Sequence, residues 1–217
     1  MVEVLRLTVD PAGVDAAALE RAATELRAGR LLIYPTDTLY AFGGAALLPG
    51  VAERVRAAKG REERKPLPLV AGDEEQARAL AADWPQAAAR LAARFWPGPL
   101  TLLVATSAHV PPGITAGGSR VAVRVPGLAL TRALCAGAGP LVSTSANRSG
   151  EPPALDCTAA LASVGAAAAL AIDAGPLSSR PSTIVDVSAG EPRLVREGAV
   201  SWDEIVAALR AADSPLE

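Results

Sequence analysis

The chain has 217 residues, half of them hydrophobic, which is enough for one folded domain with a substantial core. Its formal net charge of −2 argues against a strongly basic protein that coats nucleic acid, although it is compatible with a local basic pocket. The two cysteines, Cys135 and Cys157, lie far apart without a CxxC pair. This favours buried, reduced thiols over a disulfide or a structural zinc site.

The start of the chain does not have the pattern of a targeting segment. Residues 1–10 alternate polar and apolar side chains instead of placing a basic region before an apolar run. The longest apolar stretch, residues 165–172, is far shorter than the roughly 20 residues that cross a bilayer. We therefore expect a cytoplasmic protein with no membrane partner.

Predicted strands and helices alternate along the whole chain. The strands are expected at residues 2–7, 31–34, 67–71, 100–106, 120–125, 141–145, 168–172, 183–187 and 193–196. The helices are expected at residues 15–28, 49–59, 85–95, 128–136 and 157–164, with two more beginning at Asp73 and Ser201. This order predicts one α/β domain over residues 1–217, with a twisted mixed sheet flanked by helices and a frayed tail at 212–217.

Several of these boundaries follow from local signals. Asp15, Asp73 and Ser201 are the expected N-caps, and Glu204 would complete a capping box with Ser201. Proline and glycine in residues 111–118 predict a loop between two strands.

Polar side chains follow the predicted strand 31–34 directly. Residues 35–38 cannot continue the interior of a sheet. α/β enzymes commonly place ligand-binding groups at such strand ends. We therefore treat this segment as a candidate binding element.

Two further segments could bind anions. Residues 59–65 contain four cations, Lys59, Arg61, Arg64 and Lys65, which could bind phosphate oxygens. They could equally form a solvated turn with Glu62 and Glu63 as partners. Residues 143–150 offer many neutral hydroxyl and amide groups for phosphate or carboxylate oxygens. The alternative for that segment is a turn that caps the next helix.

Arg124 and Arg196 lie in otherwise apolar strands. A buried cation without a partner is costly, so each should meet an anion or face solvent. The single histidine, His109, lies in a proline-flanked loop, which disfavours a histidine-dependent triad and a multi-histidine metal site. P-loop and Rossmann phosphate motifs are also missing. The residues alone indicate an anion or nucleotide pocket and leave the reaction open.

Taken together and in order, seven segments resemble the YrdC-like family of threonylcarbamoyl-AMP synthases, in its short, single-domain form. They cover the chain from about residue 15 to 200 and lie at residues 34–40, 59–61 with 65–67, 97–101, 121–126, 143–150, 181–186 and 196–199. The resemblance implies an α/β fold with a deep, positively lined cavity.

The implied reaction converts L-threonine, bicarbonate and ATP, with Mg²⁺ on the phosphates, to threonylcarbamoyl-AMP and pyrophosphate. Separate transfer proteins would then move the threonylcarbamoyl group to tRNA. Whether the chain itself makes a weak contact with tRNA stays open.

The resemblance also implies roles for individual residues. The catalytic residues would be Lys59, Arg61, Ser145 and Asn147. The residues that bind ATP would be Lys59, Arg61, Lys65, Ser145, Asn147 and Arg196. The residues that bind threonine would be Thr38, Arg124, Ser145 and Ser182, with Arg124 facing its carboxylate. No residue is expected to hold a metal by itself.

Four positions depart from the family's pattern: Ala41, Glu62, Val70 and Arg120. Ala41 is expected to tighten or shift a turn, and Glu62 adds a negative charge beside the expected triphosphate site. Two rival hypotheses are a non-synthesising paralogue that binds RNA or ribosomes and a carbamoyl-adenylate module of hydrogenase maturation.

Overall fold

A computed structural model of the protein describes residues 4–10, 16–177 and 180–210. The predicted N-cap Asp15 and the predicted frayed tail at 212–217 lie outside these residues.

The helices of the described residues are α1 (Ala16–Arg27), α2 (Val51–Lys59), α3 (Glu74–Arg78), α4 (Gln86–Phe95), α5 (Pro112–Thr115), α6 (Ala129–Ala138), α7 (Cys157–Val164) and α8 (Trp202–Arg210). The strands are β1 (Leu5–Thr8), β2 (Leu32–Tyr34), β3 (Ala41–Gly43), β4 (Leu69–Val70), β5 (Leu100–Ala105), β6 (Arg120–Arg124), β7 (Leu141–Val142), β8 (Thr144–Ser145), β9 (Leu170–Asp173), β10 (Thr183–Asp186) and β11 (Arg193–Arg196).

Local side-chain contacts explain several helix boundaries. The Asp73 carboxylate accepts a hydrogen bond from the Gln76 amide at 2.8 Å and caps α3. At α8, the Glu204 amide donates to Ser201 Oγ, and Glu204 Oε2 accepts from the Ser201 amide. This is the reciprocal pattern of a capping box. The predicted caps at Asp73 and Ser201 are therefore confirmed.

The strands form two mixed sheets. One has the order β1-β9-β2-β3-β8, and the other has the order β11-β10-β5-β6-β4-β7. Both contain parallel and antiparallel pairs, such as β1 with β9 and β5 with β6. The predicted mixed α/β fold is confirmed, with its strands divided between two sheets instead of gathered in one.

The division occurs inside one predicted strand, residues 141–145. Leu141–Val142 pairs with β4 in the six-stranded sheet, and Thr144–Ser145 pairs with β3 in the five-stranded sheet. Between them, the amide of Ser143 donates to the carbonyl of Pro68 at 2.8 Å. The chain thus passes from one sheet to the other at a single residue.

The short elements that were not predicted include α5 and β3. The loop expected at 111–118 contains the one-turn helix α5, which Pro112 begins and whose Thr115 hydroxyl donates to the Pro112 carbonyl at 3.3 Å. The expected turn at Ala41 is the strand β3, which pairs with β2 and β8. Both elements are too short to produce a clear hydrophobic period.

Most core side chains are aliphatic, and the largest fully buried ones are Tyr34, Tyr40 and Phe42. Cys135 and Cys157 are buried free thiols, in agreement with the sequence analysis. Burial raises the pKa of Cys135 to about 12 and that of Cys157 to about 11. Both thiols are therefore protonated and unreactive near neutral pH.

Candidate active site

A cavity of about 600 Å³ is lined by residues of both sheets, including Ala41 and Ser145 from one and Leu69 and Arg124 from the other. The predicted site residues on its wall are Thr38, Arg61, Arg124, Ser145, Asn147, Ser182 and Arg196. The fold therefore brings together seven of the nine residues that the resemblance implied.

The segment after β2 forms a turn held by a threonine hydroxyl. Thr36 Oγ1 donates to the Leu39 carbonyl at 2.7 Å, and it lies 2.9 Å from Thr38 Oγ1. The hydroxyl of Thr131 on α6 donates to the Pro35 carbonyl at 2.8 Å. The turn is thus fixed at both ends, and it presents Thr36 and Thr38 to the cavity.

Arg124 ends β6 and is only 5% exposed. Its Nη1 donates to Asp37 Oδ1 at 2.7 Å, and its Nη2 lies 3.2 Å from Thr38 Oγ1. A buried cation needs an anionic partner, and Asp37 is that partner for Arg124. Arg124 also lines the cavity, so a second anion can approach it from there.

Arg196 reaches the same region from the end of β11. Its Nη2 donates to the Ser182 carbonyl at 2.8 Å, and Ser182 Oγ lies 2.9 Å from Thr101 Oγ1. Burial and the charge of Arg124 lower the pKa of Arg196. Two guanidinium groups that repel each other make this part of the cavity favourable for an anion.

Lys59 lies behind the segment that carries Ser145 and Asn147 and is 2% exposed. Its Nζ donates to the backbone carbonyls of Ser145 and Asn147. Burial and the charge of Arg61 lower the pKa of Lys59 to about 8. Lys59 is not among the residues that line the cavity, so its direct contact is with the segment and its charge acts from behind it.

Two polar atoms of the cavity-lining residues find no partner among the described residues. They are Asn147 Oδ1 and Arg61 Nε, both buried. The Asn147 side chain is oriented by its Nδ2, which donates to the Glu151 carbonyl at 2.7 Å, and Arg61 Nη2 donates to the Pro66 carbonyl at 3.0 Å. A buried polar atom without a partner is costly. The residues that carry these two atoms both line the cavity.

Lys65 is exposed. Like Lys59, it is a predicted site residue that does not line the cavity. Its Nζ donates to Glu62 Oε1 at 2.8 Å. The same contact lowers the pKa of Glu62. The expected effect of Glu62 on the triphosphate site is therefore offset locally by Lys65, and a contact between Lys65 and ATP stays a prediction.

The other departures from the family's pattern have distinct surroundings. Arg120 pairs with Asp186 Oδ2 at 2.5 Å, and its side chain does not line the cavity. Val70 and Ala41 both lie on the cavity wall. The cavity thus differs at two apolar positions, while the charge of Arg120 is paired outside it.

Asp37 and Glu151 are two residues at the site without a role predicted from sequence. Asp37 lies between two threonines in the polar segment 35–38. That position was the only indication in the sequence that it belongs to the site. Glu151 lines the cavity, and its Oε2 accepts from Ser163 Oγ at 2.7 Å. This partner is distant in sequence and could not be inferred from local pattern.

Other features narrow the chemistry. His109 is exposed. Among residues 4–10, 16–177 and 180–210, no group of three His, Cys, Asp or Glu is placed to hold a metal ion. No helix in this part of the chain combines the length and hydrophobicity that crossing a membrane requires.

Comparison with known proteins identifies the family. A family model for the Sua5, YciO and YrdC proteins, described as "Telomere recombination", matches residues 24–198. A threonylcarbamoyl-AMP synthase of Chromohalobacter salexigens is 39% identical over 171 residues, which are 78% of this chain and 92% of that protein.

Two solved structures are similar as well. Pyrococcus abyssi Sua5 in complex with L-threonine matches with a TM-score of 0.89 and 32% identity over 96% of this chain and 61% of Sua5. The chain thus spans about three fifths of the length of that relative. E. coli YciO matches with a TM-score of 0.83 over 94% of this chain and 100% of YciO, and at 23% identity it supports the fold alone. With most of its length matched, the chain belongs to the Sua5/YciO/YrdC family.

Proposed function

We propose that the protein is an L-threonylcarbamoyladenylate synthase, which converts L-threonine, bicarbonate and ATP to threonylcarbamoyl-AMP and pyrophosphate. The observation that carries this proposal is the cavity, where three arginines meet hydroxyl and amide side chains. Curated relatives named threonylcarbamoyl-AMP synthase, at 36–39% identity, support it. The product would serve the N6-threonylcarbamoyladenosine modification of tRNA.

The amino acid would bind near Arg124. Its carboxylate would meet the guanidinium of Arg124, while the hydroxyls of Thr38 and Ser182 offer neutral hydrogen bonds. Ser145 lies on the same wall and is the fourth proposed threonine contact. Arg124 and Ser182 are already held by Asp37 and Thr101, so this part of the site is preorganised.

The nucleotide would bind toward Arg61 and Asn147. Both residues line the cavity, and each carries a buried polar atom without a partner among the described residues. Arg196 adds a further cation on the wall. Lys59 would contribute its charge through the segment that it supports, and Lys65 would contribute from the rim.

The proposed chemistry needs little acid–base catalysis. The amine of threonine and bicarbonate give a carbamate with loss of water, and a carbamate oxygen then attacks the α-phosphorus of ATP. The new O–P bond forms as the bond to the pyrophosphate oxygen breaks, so pyrophosphate leaves with the bonding electrons. Preorganised cations and hydrogen-bond donors lower the barrier by stabilising the charge that develops on the phosphoryl oxygens.

Mg²⁺ fits this site as an ion that enters with ATP. Glu151 is the one carboxylate among the described residues of the wall, and it already accepts from Ser163. Mg²⁺ commonly keeps several waters and binds substrate phosphates with one or two carboxylates. Bound in this way, it would neutralise phosphate charge, with Glu151 as the available protein ligand.

The proposed partners follow from the product. Threonylcarbamoyl-AMP must be passed to transfer proteins that act on tRNA, and a weak contact with tRNA itself is part of the proposal. A cytoplasmic location, where tRNA is modified, is proposed as well.

The decisive experiment measures pyrophosphate release from MgATP with and without L-threonine and bicarbonate. We expect release that requires both, and we expect the K59A/R61A double variant to lose it. Normal turnover by that variant, or release without threonine, would contradict the proposal. A protein that binds ATP without releasing pyrophosphate would favour the rival RNA-binding paralogue, and RNA binding would then be measured.

A further inference from the structure

One carboxylate next to the cavity has no role in the reaction as described so far. The contact between Asp37 Oδ1 and Arg124 Nη1 is short, at 2.7 Å, and the exposed fraction of the side chain is 6% for Arg124 and 18% for Asp37. Arg124 lines the cavity, whereas Asp37 does not. The carboxylate therefore contacts the guanidinium from a side that a ligand does not occupy.

Gly127 leaves the space that the carboxylate of Asp37 occupies. A Cβ atom on Gly127 would lie 3.1 Å from Asp37 Oδ2 and 3.3 Å from Asp37 Cβ. Such contacts are tighter than ordinary van der Waals separations, so a side chain at residue 127 would press on Asp37. The turn itself is fixed, because Arg132 Nη1 donates to the carbonyls of Gly127 at 2.6 Å and Pro126 at 2.9 Å.

We propose that Asp37 is a positioning residue that orients Arg124 and so sets the affinity of the site for the carboxylate of its amino-acid substrate. A guanidinium is a planar fork, and contacts at both Nη1 and Nη2 fix its plane. The guanidinium is then held in one orientation, and a ligand can approach it only from the cavity. This inference rests on the proposed function, because it assumes that the amino acid binds at Arg124.

Charge balance leads to the same conclusion. Arg124 and Arg196 both line the cavity, and burial together with the charge of Arg124 lowers the pKa of Arg196. With Asp37 paired to Arg124, the three groups together carry a net single positive charge, which matches one carboxylate. Without Asp37, the guanidinium groups would repel each other more strongly and would attract other anions, including phosphate.

A purely structural role for Asp37 makes a different prediction. If the ion pair only stabilised the fold, its loss would lower the melting temperature and affect the KM values of threonine and ATP alike. If Asp37 positions Arg124, the KM of threonine rises while the KM of ATP changes little. The ratio of the two KM values therefore separates the two hypotheses.

The experiment compares D37A, D37N and G127A with the wild type, by steady-state kinetics and by calorimetric binding of L-threonine. D186A is the matched control, because Asp186 pairs with Arg120 outside the cavity. We expect D37A to raise the KM of threonine about tenfold, as for the loss of a charge-assisted hydrogen bond. D37N keeps an acceptor oxygen and should show a smaller rise, and G127A should raise this KM without removing a charge.

Each outcome has a defined meaning. The KM of ATP should stay within about twofold in every variant, because none of the substitutions touches the nucleotide contacts. For the same reason, D186A should match the wild type. Unchanged threonine affinity in D37A and G127A, with a wild type that binds threonine, would overturn the inference alone. A wild type that does not bind L-threonine would overturn the proposed function and the inference with it. If D37A fails to fold, G127A decides the question.

Discussion

The buried Nζ of Lys59 donates a hydrogen bond to the backbone carbonyl of Asn147. The lysine therefore holds the segment whose side chains line the cavity, and its cation reaches a ligand only through that segment. Asn147 is thereby fixed from two sides, since its own Nδ2 donates to the Glu151 carbonyl at 2.7 Å.

Lys59 should make the stability of the protein depend on pH. Its pKa is lowered to about 8 in the folded chain, compared with about 10.4 for an unperturbed lysine. Between these values the unfolded state binds a proton that the folded state has lost, so raising the pH destabilises the unfolded state. We expect the free energy of unfolding to rise between about pH 8 and 10.4 in the wild type relative to K59M.

The measurement is chemical denaturation of wild type and K59M at intervals from pH 7 to 10.5. The variant is the control, because it keeps the other titrating groups. A difference between the two proteins that stays constant with pH, or that grows as the pH falls, would contradict this prediction.

Arg61 and Lys65 should differ in their importance for ATP. Arg61 lies on the cavity wall and has a buried Nε without a partner among the described residues, whereas Lys65 is exposed and pairs with Glu62. We expect R61A to raise the KM of ATP about tenfold or more and K65A to change it by less than about twofold. Initial rates at varied MgATP test this, and equal effects of the two changes would refute it.

The hydroxyl of Tyr40 should contribute more to stability than that of Tyr34. Tyr40 Oη donates to the Gly175 carbonyl at 2.7 Å and accepts from the Ala174 amide at 3.0 Å. Tyr34 Oη donates to the Val142 carbonyl at 2.7 Å. We expect Y40F to lower the free energy of unfolding by about 2 kcal/mol and Y34F by about 1 kcal/mol. Urea denaturation of both variants provides the test, and a reversed order would count against it.

Gly43 should be irreplaceable by alanine. A Cβ atom there would lie 1.7 Å from the carbonyl oxygen of Val142, so β3 would be pushed away from β7. We expect G43A to cost at least about 3 kcal/mol of stability. G137A is the control: its Cβ would meet only Ala23 Cβ at 3.1 Å, and alanine favours the helix α6, so its effect should stay within about 1 kcal/mol. Similar stabilities of the two variants would argue against the predicted clash.

The features predicted from sequence are those that depend on near neighbours. The cap at Asp73 and the capping box of Ser201 and Glu204 involve contacts three residues apart, and local residue types are sufficient to indicate them. The division of residues 141–145 between two sheets involves instead a hydrogen bond from the amide of Ser143 to the carbonyl of Pro68. Such long-range pairing leaves no periodic signal in the segment itself.

The same distinction applies to the site. Family resemblance named Thr38, Arg124 and Ser182 from short motifs, and the fold places all three on one wall. It did not indicate that Lys59 would bind backbone carbonyls, or that Asp37 would pair with a residue 87 positions away. These contacts depend on how the two sheets are arranged around the cavity, which single motifs do not encode.

The passage of the chain between the sheets at Ser143 also restricts how its length can vary. Successive side chains of a strand point to opposite faces, so one residue inserted after Val142 would exchange the faces of Thr144 and Ser145. Gly117 and Gly118 have no such constraint, because they are exposed and lie in a turn before β6. Insertions and deletions should therefore be tolerated there and rejected at 143, where the number of residues sets which face each following side chain occupies.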